Sequence, residues 1–151
     1  MSAVLDSLEA AFREGLPAAR CERPNAVVHG CHLDVSVAPD EVVEAARILE
    51  RQGFAIDAIT GVDWIATAEF AVVYDYFHLT AREHVVVRTR VPRDAPELPS
   101  VAGVYAGANW HERETHEFFG IRFRGHPNLT PLLLPEDATY HPLRKDFTGV
   151  A

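Results

Sequence analysis

The chain has 151 residues, 48% of them hydrophobic and 24% charged, with a formal net charge of −8. This is the size and composition of one globular domain with room for a core, and no apolar run approaches the roughly eighteen residues that cross a membrane. The acidic balance excludes nucleic acid and direct adsorption to anionic lipid, since both need a basic footprint.

The first predicted element is a helix over residues 2–14, with Val4, Leu5, Leu8, Ala11 and Phe12 at helical spacing and Gly15 and Pro17 as its stop. This acidic, amphipathic stretch is neither a signal peptide nor an Arg-rich transit sequence, which points to the cytosol or a cytosolic surface. Cys21 and Cys31 are ten apart with no C-x-x-C, and read as ordinary reduced thiols. Between Ala26 and Val37, two β-favouring pieces, A-V-V-H and L-D-V-S-V, are broken by Gly30. A helix follows over residues 39–52. Pro39 suits its first turn, Asp40 and Glu41 suit its dipole, and Gly53 ends it; the apolar stripe is Val42, Val43, Ala46 and Leu49.

Three extended segments come next. Phe54 to Thr60 alternates, with Phe54, Ile56 and Ala58 on one side. Phe70 to Leu79 and His84 to Val91 read as a hairpin, with Val85, Val87, Thr89 and Val91 facing one way and Val86, Arg88 and Arg90 the other. His29, His32, His78 and His84 fall in or beside these strands, where a hydrogen-bonded histidine is the default. Pro92, Pro96 and Pro99 end the sheet, and P-S-V-A-G-V-Y is expected to form a short helix. The last helix spans 109–119, with Asn109 as its N-cap, Glu112 three residues on as in a capping box, and Gly120 as its stop. The order predicts an α+β fold, helices on one face of a mainly antiparallel sheet. We divide it into a body over 1–120 and an extended arm over 121–151.

The last helix carries W-H-E-R-E-T-H-E-F-F-G, from Trp110 to Gly120. A zinc helix of the H-E-x-x-H kind sets its histidines four apart, on one face. His111 and His116 are five apart and diverge by about 140° around the helix, and Glu112 with His116 is too little for a closed site. Trp110, Glu114 and Phe118 align at i, i+4, i+8, so Glu114 is expected to be buried between aromatics and to need Arg113 or Arg144 as its partner. For Glu112 and Glu117 a solvated charged face is the bland alternative; Arg113 and Glu117 stand at i, i+4, a pairing worth only a few tenths of a kcal/mol if exposed.

The arm, I-R-F-R-G-H-P-N-L-T-P-L-L-L-P-E-D-A-T-Y-H-P-L-R-K-D-F, mixes leucines with prolines that forbid helix and sheet pairing. Such a segment has no core of its own. It either wraps its own domain or reaches a neighbour. The body is strongly acidic, with 16 acids and 9 bases over residues 1–110, and the rest is nearly balanced, with 6 and 5. No nucleophile motif, phosphate loop or dinucleotide fingerprint is present.

These blocks closely resemble the C subunit, or 30 kDa-type subunit, of proton-pumping NADH:quinone oxidoreductase (respiratory complex I). The family pattern is roughly E-R-E-x-x-D-x-x-G-I-x-F-x-G-H-P-x-L-R-R-I-L, then G-H-P-L-R-K-D-[FY]. Glu112, Arg113 and Glu114 fall on E-R-E; Gly120 and Ile121 on G-I; Gly125, His126 and Pro127 on G-H-P. His141, Pro142, Leu143, Arg144, Lys145, Asp146 and Phe147 fall on the terminal block. Glu117 replaces the usual Asp, Thr130 and Pro131 replace the paired arginines, and Tyr140 replaces a glycine. The resemblance implies a protein without a redox centre, catalysing nothing alone. It implies contacts with the quinone-site D subunit and neighbouring iron–sulfur subunits through these residues, and a peripheral place on the cytoplasmic face of the plasma membrane, touching the membrane only through the complex. It places FMN, iron–sulfur clusters and quinone in other subunits. Two alternatives stand: the equivalent subunit of a related membrane-bound nickel–iron hydrogenase or ferredoxin-fed complex, and a stand-alone metalloprotein using His111, Glu112 and His116.

Overall fold

A computed structural model of the chain describes residues 2–150; Met1 and Ala151, the outermost residues of the expected body and arm, lie outside them. Among the described residues the order is α1 (Ala3–Gly15), β1 (Arg20–Glu22), α2 (Ala26–His29), β2 (Leu33–Ser36), α3 (Val42–Arg51), β3 (Ala55–Trp64), β4 (Glu69–His78), β5 (Glu83–Pro92), β6 (Glu97–Pro99), α4 (Ala108–Phe119) and β7 (Arg122–Arg124). The first five strands form one sheet in the order β1-β2-β5-β4-β3, antiparallel except for the parallel pair β2–β5. Strands β6 and β7 make a separate parallel pair. The expected α+β architecture is present.

The β4–β5 hairpin sets the phase of the core. Val91, Val87 and Val85 lie opposite Phe70, Tyr74 and Tyr76, and all six are buried. Arg88 and Arg90 project from the other face, as the alternation predicts. On α1 the buried residues are Leu5, Leu8 and Phe12, and α1 packs on α3, which buries Val42, Ala45, Ala46, Ile48 and Leu49. Full burial of such side chains stabilises by about 1.5–3 kcal/mol each.

Strand β3 runs to Trp64, beyond the expected end at Thr60, and a bulge between Ile56 and Ala58 rephases it. Ile59, Gly61 and Asp63 then lie opposite Tyr74, Val72 and Phe70, on the core side. Helix α4 lies against this stretch. A Cβ on Gly61 would sit 2.6 Å from the Phe119 ring, so only glycine admits this approach.

Three expectations fail for local reasons. A-V-V-H is the short helix α2, not a strand: the Asn25 side chain accepts the Val27 N–H at 3.0 Å, and Gly30 closes it with φ +74°. Val27 and Val28 are exposed, and no neighbouring strand offers them a pleated surface. Residues 101–105 make a turn in place of the expected helix, with the Val104 and Tyr105 N–H groups both donating to the Val101 carbonyl, and Pro99 belongs to β6. Helix α4 starts one residue early, behind Gly107, without a side-chain cap, because Glu112 is buried against residues 100–101 instead of reaching back.

The segment drawn as an arm from residue 121 begins inside the body. Ile121 and Phe123 are buried, and β7 pairs with β6. From Gly125 to Val150 the described chain has neither helix nor strand.

Candidate partner interface

Helix α4 presents two buried glutamates in opposite directions. Glu112 is fully buried, its carboxylate accepting from Ser100 Oγ at 2.5 Å and from the Val101 N–H at 2.7 Å. Burial pushes its pKa up to about 7, against the lowering effect of those two bonds. Glu117 is turned toward the tail. It accepts the backbone N–H groups of Leu132 (2.8 Å), Leu133 (2.9 Å) and Leu134 (3.1 Å). One carboxylate therefore fixes three successive peptide units of a segment that has no other regular hydrogen bonding.

The burial of both glutamates rules out the solvated-face alternative, and Glu114 corrects the expectation that it is the buried one. Glu114 is exposed and pairs with nothing among the described residues; Trp110 beside it is 61% exposed. The i, i+4, i+8 stripe is real, but it runs along the rim of the helix: Phe118 packs partly on the core and lines a groove against β3 with Glu114, while Trp110 stays exposed. Arg113 does not pair with Glu117. It donates to the carbonyls of Thr130 (2.9 Å) and Pro131 (2.8 Å) and lies 5.6 Å over the Trp110 ring.

The terminal block returns to the end of the same helix and caps it. A helix leaves its last four carbonyls without partners. Here the His116 carbonyl accepts from the Gly120 N–H at 2.7 Å, and Glu117's accepts from His141 Nδ1 at 2.8 Å. Phe118's accepts from the Leu143 N–H at 3.2 Å, and Phe119's from Arg144 Nε at 2.6 Å. Gly120 makes this possible twice over: its φ is +77°, and a Cβ there would meet Arg144 Nη2 at 2.6 Å and His141 Nε2 at 2.8 Å.

Past the cap, the Lys145 N–H donates to Asp63 Oδ2 at 2.8 Å, and Asp146 accepts from Arg93 at 2.6 Å. Asp63 is buried at the end of β3 and also takes Arg93 in a fork, at 3.0 and 3.2 Å. Burial raises the Asp63 pKa, but the bonds from Arg93 and Lys145 outweigh it and hold the carboxyl below its ordinary value. Phe147 stacks on Tyr140 at 5.7 Å. Pro142 is partly buried, while the Lys145 side chain and Pro127 are exposed.

His126 follows Gly125, whose φ of +77° makes the turn out of β7. The His126 side chain is fully buried, Nδ1 accepting from the Asn128 N–H at 3.0 Å, which leaves Nε2 to donate to the Asn109 carbonyl at 3.1 Å. His116 Nδ1 meets the Ile121 carbonyl at 2.8 Å, and burial lowers its pKa. His111 lines a groove against β3, whereas His116 lines a cleft beside Pro131, Tyr140 and His141. The set His111, Glu112 and His116 does not converge, because Glu112 is spent on residues 100–101. Among the described residues no three His, Cys, Asp or Glu side chains group in a way that could hold a metal ion.

The residues of both motif blocks thus meet at one place, α4 with the chain that returns to it. Asp63, Arg93, Ser100 and Val101 belong to the same network and were not singled out from the sequence. Each is an isolated polar or apolar residue in a β-favouring or proline-rich run, with no spacing to mark it.

Residues 35–151 match the family described as respiratory-chain NADH dehydrogenase, 30 Kd subunit. The chain belongs to that family. It is similar to the C subunit of F(420)H(2) dehydrogenase from Methanosarcina mazei, at 38% identity over 97% of this chain and 90% of the relative. It is also similar to the C/D subunit of NADH-quinone oxidoreductase from Phocaeicola vulgatus, at 41% identity over 72% of this chain and 22% of that longer one. Among solved structures, a chain of the membrane-bound sulfane sulfur reductase, an archaeal respiratory membrane complex, superposes with a TM-score of 0.82 and 27% identity. That match covers 97% of this chain and 86% of the other. No helix among the described residues of this 30 kDa-type subunit is long and apolar enough to cross a membrane.

Proposed function

We propose that this chain is a non-redox peripheral-arm subunit of a proton-translocating quinone oxidoreductase. In this reading it packs against the quinone-site D subunit and neighbouring iron–sulfur subunits, and supports assembly of the electron-transfer arm on the cytoplasmic face of the membrane. FMN, iron–sulfur clusters and quinone belong to other subunits, and this chain contributes no catalytic centre.

One observation carries the reading. The tail is fixed by polar bonds to α4, yet it leaves Leu133 and Leu143 exposed (65% and 55%), and Trp110 on α4 is exposed too. Large apolar side chains held out on a rigid, hydrogen-bonded frame suit a permanent protein neighbour better than they suit water. The relative with the joint C/D name supports the D subunit as that neighbour, because a single chain carrying both letters places the two parts in one molecule.

A second reading concerns the electron donor. The relative that covers 97% of this chain belongs to an F(420)H(2) dehydrogenase. The same structural place in a complex fed by F(420)H(2), by ferredoxin or by a hydrogenase module fits the chain as well as an NADH-linked one.

The test is an affinity pull-down of the tagged chain from gently solubilised native membranes. Recovery of a quinone-site protein of the D type with iron–sulfur subunits is the expected result, and the electron-input subunits that come with them decide the donor. A chain recovered alone at full yield would end the proposal.

A further inference from the structure

Arg144 carries a charge that no carboxylate of the polar network takes. Beside it, Arg93 is paired twice, with Asp63 and with Asp146. Arg144 donates through Nε to the Phe119 carbonyl, a neutral acceptor, and among the described residues it makes no ion pair. Its guanidinium is partly buried and lies 5.2 Å over the Phe70 ring, while Arg93 lies 5.4 Å over the same ring. Burial and then the neighbouring Arg93 lower its pKa, so the cation is held where water solvates it poorly and a like charge repels it. It lines an open cleft of about 510 Å³ together with Ala68, Arg93, Asp94 and Pro96.

We propose that Arg144 is an unfilled carboxylate-binding position, which takes one aspartate or glutamate side chain of the protein docked on this face. The inference rests on the reading of the chain as part of a larger complex and adds the chemistry of one contact to it. A guanidinium presents a planar fork that a carboxylate matches with two parallel bonds. Phosphate fits poorly: its extra charge would face Asp94 on the cleft rim as well as Asp63 and Asp146, against one unpaired guanidinium. The Phe70 ring and the Phe119 carbonyl hold the side chain in place, so little rotamer freedom remains to be lost on binding.

The experiment uses the fact that Lys145 is the only lysine in the chain. The double variant Arg144→Lys, Lys145→Arg keeps the net charge and moves the only side-chain amine to position 144. The complex carrying it is isolated by the same pull-down and treated with a carbodiimide, which joins an amine to a carboxylate in direct contact. The linked peptides are then identified by mass spectrometry. The expected product joins position 144 to an aspartate or glutamate of another protein of the complex. In parallel, Arg144→Met, which keeps the apolar stem on Phe70, should lower recovery of the complex about tenfold or more, the usual cost of leaving a buried carboxylate without its partner. The melting temperature of the isolated Arg144→Met chain should fall less than that of Arg93→Met, which strands Asp63.

Links from position 144 only to Asp63, Asp94 or Asp146 of its own chain, or no link in a complex recovered at full yield, would overturn the inference. So would full recovery with Arg144→Met. If even the unaltered chain brings down no partner, the reading as part of a complex has failed instead, and the two failures are told apart by that control.

Discussion

The sheet-and-helix body and the tail from Gly125 to Val150 are held by different forces. The body closes on Phe12, Phe70, Tyr74, Leu98 and their neighbours, by apolar burial that no single polar contact controls. The tail contributes Leu129 to the edge of that core and otherwise rests on discrete bonds: Arg113 to two carbonyls, Glu117 to three N–H groups, His141, Leu143 and Arg144 to the helix end, Lys145 and Asp146 to the Asp63–Arg93 pair. Burial is cooperative and resists local change. A set of separate hydrogen bonds, each worth about 0.5–1.5 kcal/mol net, can be undone one at a time. The tail is therefore the part that can be loosened without unfolding the protein, and the part whose shape is set by the charges on α4.

The strongest way to break this contrast is to cut the chain at two places. Removal of everything after Arg124 should leave a cooperatively folding body. Glu117 and the helix-end carbonyls would turn to water, at a cost of about 1–3 kcal/mol. Removal after Gly120 takes away Ile121 and Phe123, both buried, along with β7. That loss is about 1.5–3 kcal/mol for each side chain plus the strand pairing, enough to unfold a marginal domain. Chemical denaturation of the two products checks it, and equal stability would show that the body ends at Gly120 after all.

Most of the body was legible because its signals are periodic. Alternation in β5 and the stripe of α3 each involve several residues that agree with one another. The bulge at Asp57 was not legible, since one inserted residue leaves no compositional trace yet reverses which side chains face the core. The site was legible in location but not in orientation. Helical spacing groups Trp110, Glu114 and Phe118 correctly, and it also groups Glu112 with Thr115 and Phe119. Which group faces inward depends on where β3 and the 100–101 turn lie, and that is tertiary information. The chemistry of Glu117 was invisible for a further reason: its partners are backbone N–H groups, which every residue but proline carries.

The second contrast lies within the helix, between Glu112 and Glu117. The folded protein holds the Glu112 proton more tightly than the unfolded chain, about 7 against an ordinary 4.5. Stability should therefore fall as pH rises from about 4.5 to about 7, and stay at the lower level above. Glu112→Gln keeps the shape and the acceptor for Val101, so it should remove that part of the pH dependence and be relatively more stable at pH 8 than at pH 5. Urea midpoints at the two pH values measure it, and an unchanged pH slope in the variant would refute the assignment. Glu117→Ala should cost less, about 1–2 kcal/mol, since its three N–H groups can turn to water. Its mark is local: amide exchange at Leu132, Leu133 and Leu134 should accelerate while that of β4 and β5 does not.

Glu114→Ala closes the series with the smallest effect. A carboxylate between two aromatics at i, i+4, i+8 would be costly to lose if that face were buried, and its removal would then rival that of Glu112. Phe118 on that face is partly buried, but Trp110 and Glu114 are exposed, and Glu114 makes neither an ion pair nor a hydrogen bond among the described residues. Surface substitutions of this kind stay within about 0.5 kcal/mol. The isolated chain should thus melt at an unchanged temperature with Glu114→Ala, while Glu112→Ala, which strands the Val101 N–H and the Ser100 hydroxyl in the interior, melts clearly lower. Recovery of the complex from membranes then gives Glu114 its own test. A side chain that does nothing for the fold, on a face with Trp110, Phe118 and Leu143, should matter only when a neighbour sits there. Full recovery with Glu114→Ala would confine the docking surface to the tail side of α4.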